Sequence, residues 1–419
     1  MTEWFYPALE LATPELYDRN AFRLLELPVT ASERDLSRRR ELIQRASRAN
    51  HPIPPGAARL FPRVPPPDEH DVQEAEHAIQ DAERRLAHEF FWFWSADVEA
   101  REPDPAWRFL IQGSVHQALR VWQEQEHSAA NGPVARHNIA LLHHFLAIEF
   151  EKLLLGTKLG GIGSGWSVLT EDQYATDADR HWHEASKHWA VLADDASLWG
   201  HVAARIRAID DPSLTADAAQ RLQHTFAATL TLIDAKLAIR AWDQDKPDQA
   251  VRHAERIRTA RLPQEGVKEG LRRAVEPLRP HLNALRETAL RESKADPVNA
   301  DKAVERLISE AGTSLGLLDL LLPAEHPTRQ AEHDEAAIAA MFCQIKFHNS
   351  THDYRRALVL QDRIDPIAAG AGAKDRLAYN RKIIERNLLG AILPPKVEPK
   401  PPRIEPKPPR IEPKPPRIE

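Results

Sequence analysis

The sequence predicts an all-α protein, and three observations carry that prediction. Apolar residues recur at helical spacing through nearly every segment between Ala8 and Leu393, alternating strand patterns are absent, and glycine, proline and aspartate turns separate the periodic stretches. At 419 residues the chain has room for two or three domains, and 42% hydrophobic content can fill sizeable cores. The expected order is a small helical module over residues 1–95, helical hairpins over 96–245, a second helical region over 246–393, and a disordered proline-rich tail over 394–419.

In the first module Ser32 occupies an N-cap position and Asp35 the third helical position, a short-armed capping box that starts a helix. Leu36, Ile43 and Ala46 supply its apolar face, while Arg34, Arg38, Arg39, Arg40, Arg45 and Arg48 crowd the remaining surface. His51-Pro52-Ile53 follows, then a proline-loaded loop to Pro67. Val72, Ala75, Ile79, Ala82, Leu86 and Phe90 then form one stripe, read as a single further helix.

Next, Ala106 to Glu126 and Val134 to Leu155 read as a helical hairpin, separated by the helix-ending and helix-starting residues of Asn131-Gly132-Pro133. Trp182, Ala185, Trp189 and Leu192 form another stripe, followed by those of Leu198 to Ile209 and of Leu222 to Leu237. Three sites place a turn before a small residue that opens an apolar helix: Gly113 before Ala118, Asp245-Lys246-Pro247 before Ala250, and Thr351-His352-Asp353 before Ala357. These resemble the second-helix start of tetratricopeptide-type hairpins. Their spacings of 132 and 107 residues are not a 34-residue period, so an irregular scaffold is expected rather than a regular array.

The run Asn20 to Leu36, the basic helix and His51-Pro52 resemble the J domain of DnaJ-type co-chaperones. The resemblance spans Asn20 to Trp94, and Ile53 stands where that family carries the aspartate of His-Pro-Asp. It implies contact with the ATPase domain of a DnaK-type chaperone through Arg38, Arg39, Arg40, Arg45, His51 and Pro52, with little stimulation of ATP hydrolysis because the aspartate is replaced. The expected function is a non-enzymatic adaptor that recruits a protein client to such an ATPase. The alternative is a helical interaction scaffold with a proline-rich tether and no chaperone coupling.

In the tail, Glu398-Pro399-Lys400-Pro401-Pro402-Arg403-Ile404 recurs twice without change. Its prolines favour extended polyproline II over helix or sheet. Pro399, Pro402 and Arg403, then Pro406, Pro409 and Arg410, then Pro413, Pro416 and Arg417 repeat a Pro-x-x-Pro spacing with an adjacent cation. An aromatic-lined, polyproline-binding domain is the expected receptor.

Net charge is −6; residues 396–419 carry +3, leaving −9 on the body, so no nucleic-acid partner is expected. The lone Cys343 excludes an internal disulfide and reads as a buried structural thiol. Met1 to Tyr6 lacks an export pattern and no 18-residue apolar run occurs, so a cytoplasmic protein with no membrane partner is expected. His137, His144 and Glu151 step by seven residues, and His181, His183 and His188 cluster, but neither spacing specifies a metal site. The glycine run from Gly160 to Gly165 lacks the lysine and hydroxyl of a phosphate loop and reads as a linker. Trp182 and Trp189 read as core. No catalytic residue, cofactor or metal is assigned.

Overall fold

A computed structural model describes residues 3–51, 53–63, 65–95, 104–156 and 171–392. Pro52, the Gly160–Gly165 run and the tail positions Pro399, Pro402, Arg403, Pro406, Pro409, Arg410, Pro413, Pro416 and Arg417 lie outside them. Eighteen α-helices and short 3-10 turns make up the regular structure of the described residues, which contain no strand. None of these helices is long and apolar enough to cross a membrane. The residues gather into two compact units, one of 3–281 with 314–326 and the other of 282–313 with 327–392.

The first unit opens with α1 (Tyr6–Glu10), α2 (Ala21–Leu25), α3 (Glu33–Arg48), α4 (Glu69–Gln80) and α5 (Ala82–Phe90). The capping box forms at the start of α3: Asp35 N–H donates to Ser32 Oγ at 3.3 Å and Ser32 N–H to Asp35 Oδ2 at 3.0 Å. The stripe from Val72 to Phe90 belongs to two helices rather than one. Asp81 takes an extended conformation between them, and its carboxylate accepts from Arg84 N–H at 2.8 Å, ending α4 and capping α5.

Asn20 ties the first helices down. Its Oδ1 caps α2 by accepting from Phe22 N–H at 3.1 Å, and its Nδ2 donates to His88 O and Phe91 O at 2.9 and 3.2 Å. Beyond α5, Phe91, Trp92, Phe93 and Trp94 are all buried, and Trp94 and Asn138 exchange two hydrogen bonds of 2.9 and 2.8 Å. Residues 3–95 therefore share a core with the later helices of the first unit.

The rest of the first unit is α6 (Trp107–Ile111), α7 (Val115–Gln125), α8 (Gly132–Leu154), α9 (Glu171–Leu192), α10 (Ala196–Ile209), α11 (Ala218–Asp243), α12 (Pro247–Thr259) and α13 (Gln264–Val275). The helix expected over Ala106–Glu126 is broken where Gly113 adopts φ +75°, which a residue with a Cβ resists. Helices α8 and α11 are buried on nearly all sides, the pattern of central helices; α9 lies along α8, while α12 and α13 lie along α11. At Gly270 a Cβ would stand 2.7 Å from Ala228 O and 2.8 Å from Thr231 Cβ, so α13 reaches α11 only because that side chain is absent.

The remaining helices are α14 (Leu278–Ala295), α15 (Ala300–Leu321), α16 (Pro327–Thr351), α17 (Tyr354–Ile364) and α18 (Ala371–Ile392), of which α14 and α15 contribute to both units. In the second unit Asn380 Nδ2 donates to Gln344 Oε1 and Gln361 Oε1 at 2.7 and 2.9 Å, a buried amide network joining α16, α17 and α18. Such a network, once satisfied, fixes the packing of its helices. Cys343 is buried there, as expected of a structural thiol.

The three small-residue sites share one geometry. Gly113, Asp245 and His352 have φ of +75°, +57° and +59°, and Ala118, Ala250 and Ala357 are fully buried. The left-handed residue ends one helix and turns the chain, and the alanine then lets the next helix approach closely. Helices α7, α12 and α17 start this way, packing on α8, α11 and α16.

Candidate binding groove

The J-like positions are dispersed by the fold. Arg38 and Arg45 are exposed on α3, where Arg45 pairs with Glu41 at 3.1 Å, and His51 is exposed just beyond the helix. Arg40 is half-buried and pairs with Glu76 of α4 at 2.9 Å. Arg39 turns inward: it donates to Leu25 O at 2.8 Å and Pro54 O at 2.5 Å and pairs with Glu26 at 3.0 Å. Its three acceptors make it a clasp between α2, α3 and the loop after α3. Arg34, Arg38, Arg45 and Arg48 leave an open basic row on the solvent face.

The histidine groups are parts of the packing. His137 Nε2 lies 2.8 Å from Phe90 O, His144 Nδ1 lies 2.6 Å from Tyr17 Oη, and His143 and His181 face each other through their Nδ1 atoms at 2.7 Å. Among the described residues no cluster of His, Cys, Asp and Glu could hold a metal ion.

A groove of about 970 Å³ opens between α9 and α12. Its floor is built on Trp182, whose ring is buried and whose Nε1 donates to Glu151 Oε1 at 3.1 Å. The Arg256 guanidinium lies 4.8 Å from the centre of that ring, donates to the same Glu151 oxygen at 3.0 Å and reaches Asp179 at 3.3 Å. Stacking and two carboxylates thus hold the cation at the floor. Beneath it, buried His253 lies between Asp234 at 3.1 Å and Glu151 at 3.5 Å. Burial alone would raise the Glu151 carboxyl, but His253, Arg256 and Trp182 hold it down to about 2. The Glu151 carboxylate therefore stays ionised throughout the physiological pH range.

The groove walls differ from the floor. Ser186 and Ala190 of α9 and Ala260 beyond α12 are small, and Val191 is 55% exposed. Lys187, Arg252 and Arg261 add cations to Arg256, against the carboxylates of Asp179 and Glu255. Thr259 Oγ1 is spent on its own helix, donating to Glu255 O at 2.9 Å. The arrangement offers apolar contact, hydrogen-bond donors and positive charge around an ordered floor.

Trp182 lies in the core, as its helical stripe predicts, but that stripe gives no sign that one edge of the ring floors a groove. Nothing in the local pattern of Arg252, Arg256 and Arg261 separates them from any other charged helix face, so the sequence does not single them out. No family model, no curated protein and no solved structure matches the chain.

Proposed function

We propose that this chain is a non-enzymatic helical adaptor that holds a segment of a client protein in the groove between α9 and α12. The observation that carries the reading is the ordered floor: Arg256, stacked on Trp182 and anchored by Glu151 and Asp179, stands ready beside an open apolar wall. Preorganised groups of this kind lower the ordering cost of association. Selection of a displayed random-peptide library on the full chain tests it. Enriched peptides are expected to lose about tenfold or more in affinity for Val191→Glu, which removes the exposed apolar contact of the wall and puts a solvated carboxylate in its place. Absence of enrichment, or equal binding to Val191→Glu, would sink the reading.

A second reading adds coupling to a DnaK-type ATPase, favoured by the open row Arg34, Arg38, Arg45 and Arg48 on α3 with His51 at its end. Under it, the full chain binds the ATPase weakly, Ile53→Asp raises ATP turnover, and Arg38→Glu with Arg45→Glu weakens binding. Arg39 is left unchanged in that test because its contacts are internal. Unchanged turnover and binding in all these variants would remove the coupling.

A further inference from the structure

We infer that the occupant of the α9–α12 groove is an acidic amphipathic helix of the partner protein; this rests on the peptide-holding reading above and names its ligand class. Charge is the first support. Four cations against two carboxylates line the groove, on a body whose net charge is −9 once the tail is set aside. Arg252 and Arg261 have no ion-pair partner among the described residues, and Lys187 has only Glu184 at 3.5 Å within its own helix. These side chains lie on the same side as the apolar wall and are free to meet carboxylates. The chain's own tail carries +3 and is mismatched to this site.

Shape is the second support. Two neighbouring helices leave a furrow between them, and Ser186, Ala190 and Ala260 keep its walls low enough for a third helix to settle between them. A half-sunk helix of about three turns displaces roughly 700 Å³ at a diameter of about 11 Å, the same order as the 970 Å³ groove. Its apolar stripe, at i, i+3, i+4 and i+7, lies on Val191, Ala190 and Ala260. Its flanking glutamates reach Arg252 on one side and Lys187 on the other, with Arg261 at the end of the furrow. Arg256 is neutralised by Glu151, Asp179 and Asp234 and serves as part of the floor, so the positive character of the groove comes from Arg252, Arg261 and Lys187.

The test uses the full chain and a fluorescein-labelled helical peptide whose leucines form one stripe flanked by glutamates. Three companion peptides replace the glutamates by glutamine, place a proline in the middle, or reverse the charges with lysine. Saturable binding is expected for the acidic helix, weakened about tenfold or more by the glutamine, proline or lysine changes, by Arg252→Glu with Arg261→Glu, and by raised salt. Arg261 is exposed and Arg252 half-buried, and circular dichroism of the double variant checks that its fold is unchanged.

Equal binding of the glutamine peptide, blocked by Val191→Glu, would overturn the acidic class while leaving a peptide-holding groove. Equal binding of the proline peptide would overturn the helix. Full displacement by millimolar citrate would instead make the groove a small-anion site. Absence of binding by any peptide in this panel would overturn the inference, whereas the library selection decides the adaptor reading independently.

Discussion

Lowering the pH from 7 to 5 is expected to bring the first unit close to unfolding. Burial holds His88, His137, His143 and His144 down to about 4 and His181 to about 3, because none of these rings can take up a proton without placing charge in a packed interior. In the unfolded chain the same rings titrate near pH 6.5. Stability is therefore complete above about pH 6.5 and is lost as pH falls toward about 4, since protons bind the unfolded chain first. Each ring contributes on the order of 1 kcal/mol per pH unit in that window and all five act in the same direction, with His143 and His181 titrating as a pair because their Nδ1 atoms face each other, so the combined loss by pH 5 is of the order of a domain's whole stability. Folded domains have about 5–15 kcal/mol in total.

Urea titrations at pH 7.5, 6.5 and 5.5, monitored by tryptophan fluorescence, check this. The midpoint is expected to fall steeply across the series, and less steeply for His181→Gln, which removes one titrating ring. A midpoint that stays level down to pH 5.5 would contradict the account.

The second large effect is expected at Glu89. This fully buried carboxylate accepts from Arg205 Nε at 2.7 Å and Nη2 at 2.8 Å, and from Arg85 Nε at 2.8 Å. Arg205 also donates to Val29 O at 2.9 Å and Arg85 to Ala31 O at 2.7 Å, so the cluster joins α5 and α10 to the turn before α3. Removing one partner leaves a buried charge under-compensated. Arg205→Met is expected to cost about 3 kcal/mol, near the low end for a broken buried pair because Arg85 still reaches the carboxylate. The double change Glu89→Leu with Arg205→Met is expected to recover part of that loss, since it withdraws the buried anion as well. Chemical unfolding of the two variants gives both numbers. An unchanged midpoint for Arg205→Met would show that the cluster is solvated.

Local signals in the sequence were sufficient where the structure is made locally. The box of Ser32 and Asp35 starts α3 because both partners lie within one turn, and Ala118, Ala250 and Ala357 are buried because each comes after a turn that local residues specify. The apolar stripe runs through two helix breaks, of which only Gly113 carried a turn signal of its own. At Asp81 the stripe continues in register across a bend created by a side-chain cap, and at Gly113 a single left-handed residue divides what the periodicity joins.

Arg39 shows the limit of reading a basic face from composition. It lies on the same helix as Arg38 and Arg40, yet Leu25 O, Pro54 O and Glu26 draw it inward, and those acceptors come from outside the helix. The groove is further out of reach. Trp182 and Arg256 are brought together by the packing of α8, α9, α11 and α12, which no spacing along the chain records.

Hydrogen exchange of the full chain, alone and saturated with a library-selected peptide, tests the central claim most directly. Protection concentrated in residues 179–191 of α9 and 252–261 at α12, with no comparable change along α3, is the result that a client held in the α9–α12 groove predicts. Protection centred on α3, or on the second unit with α9 and α12 unaffected, would contradict it.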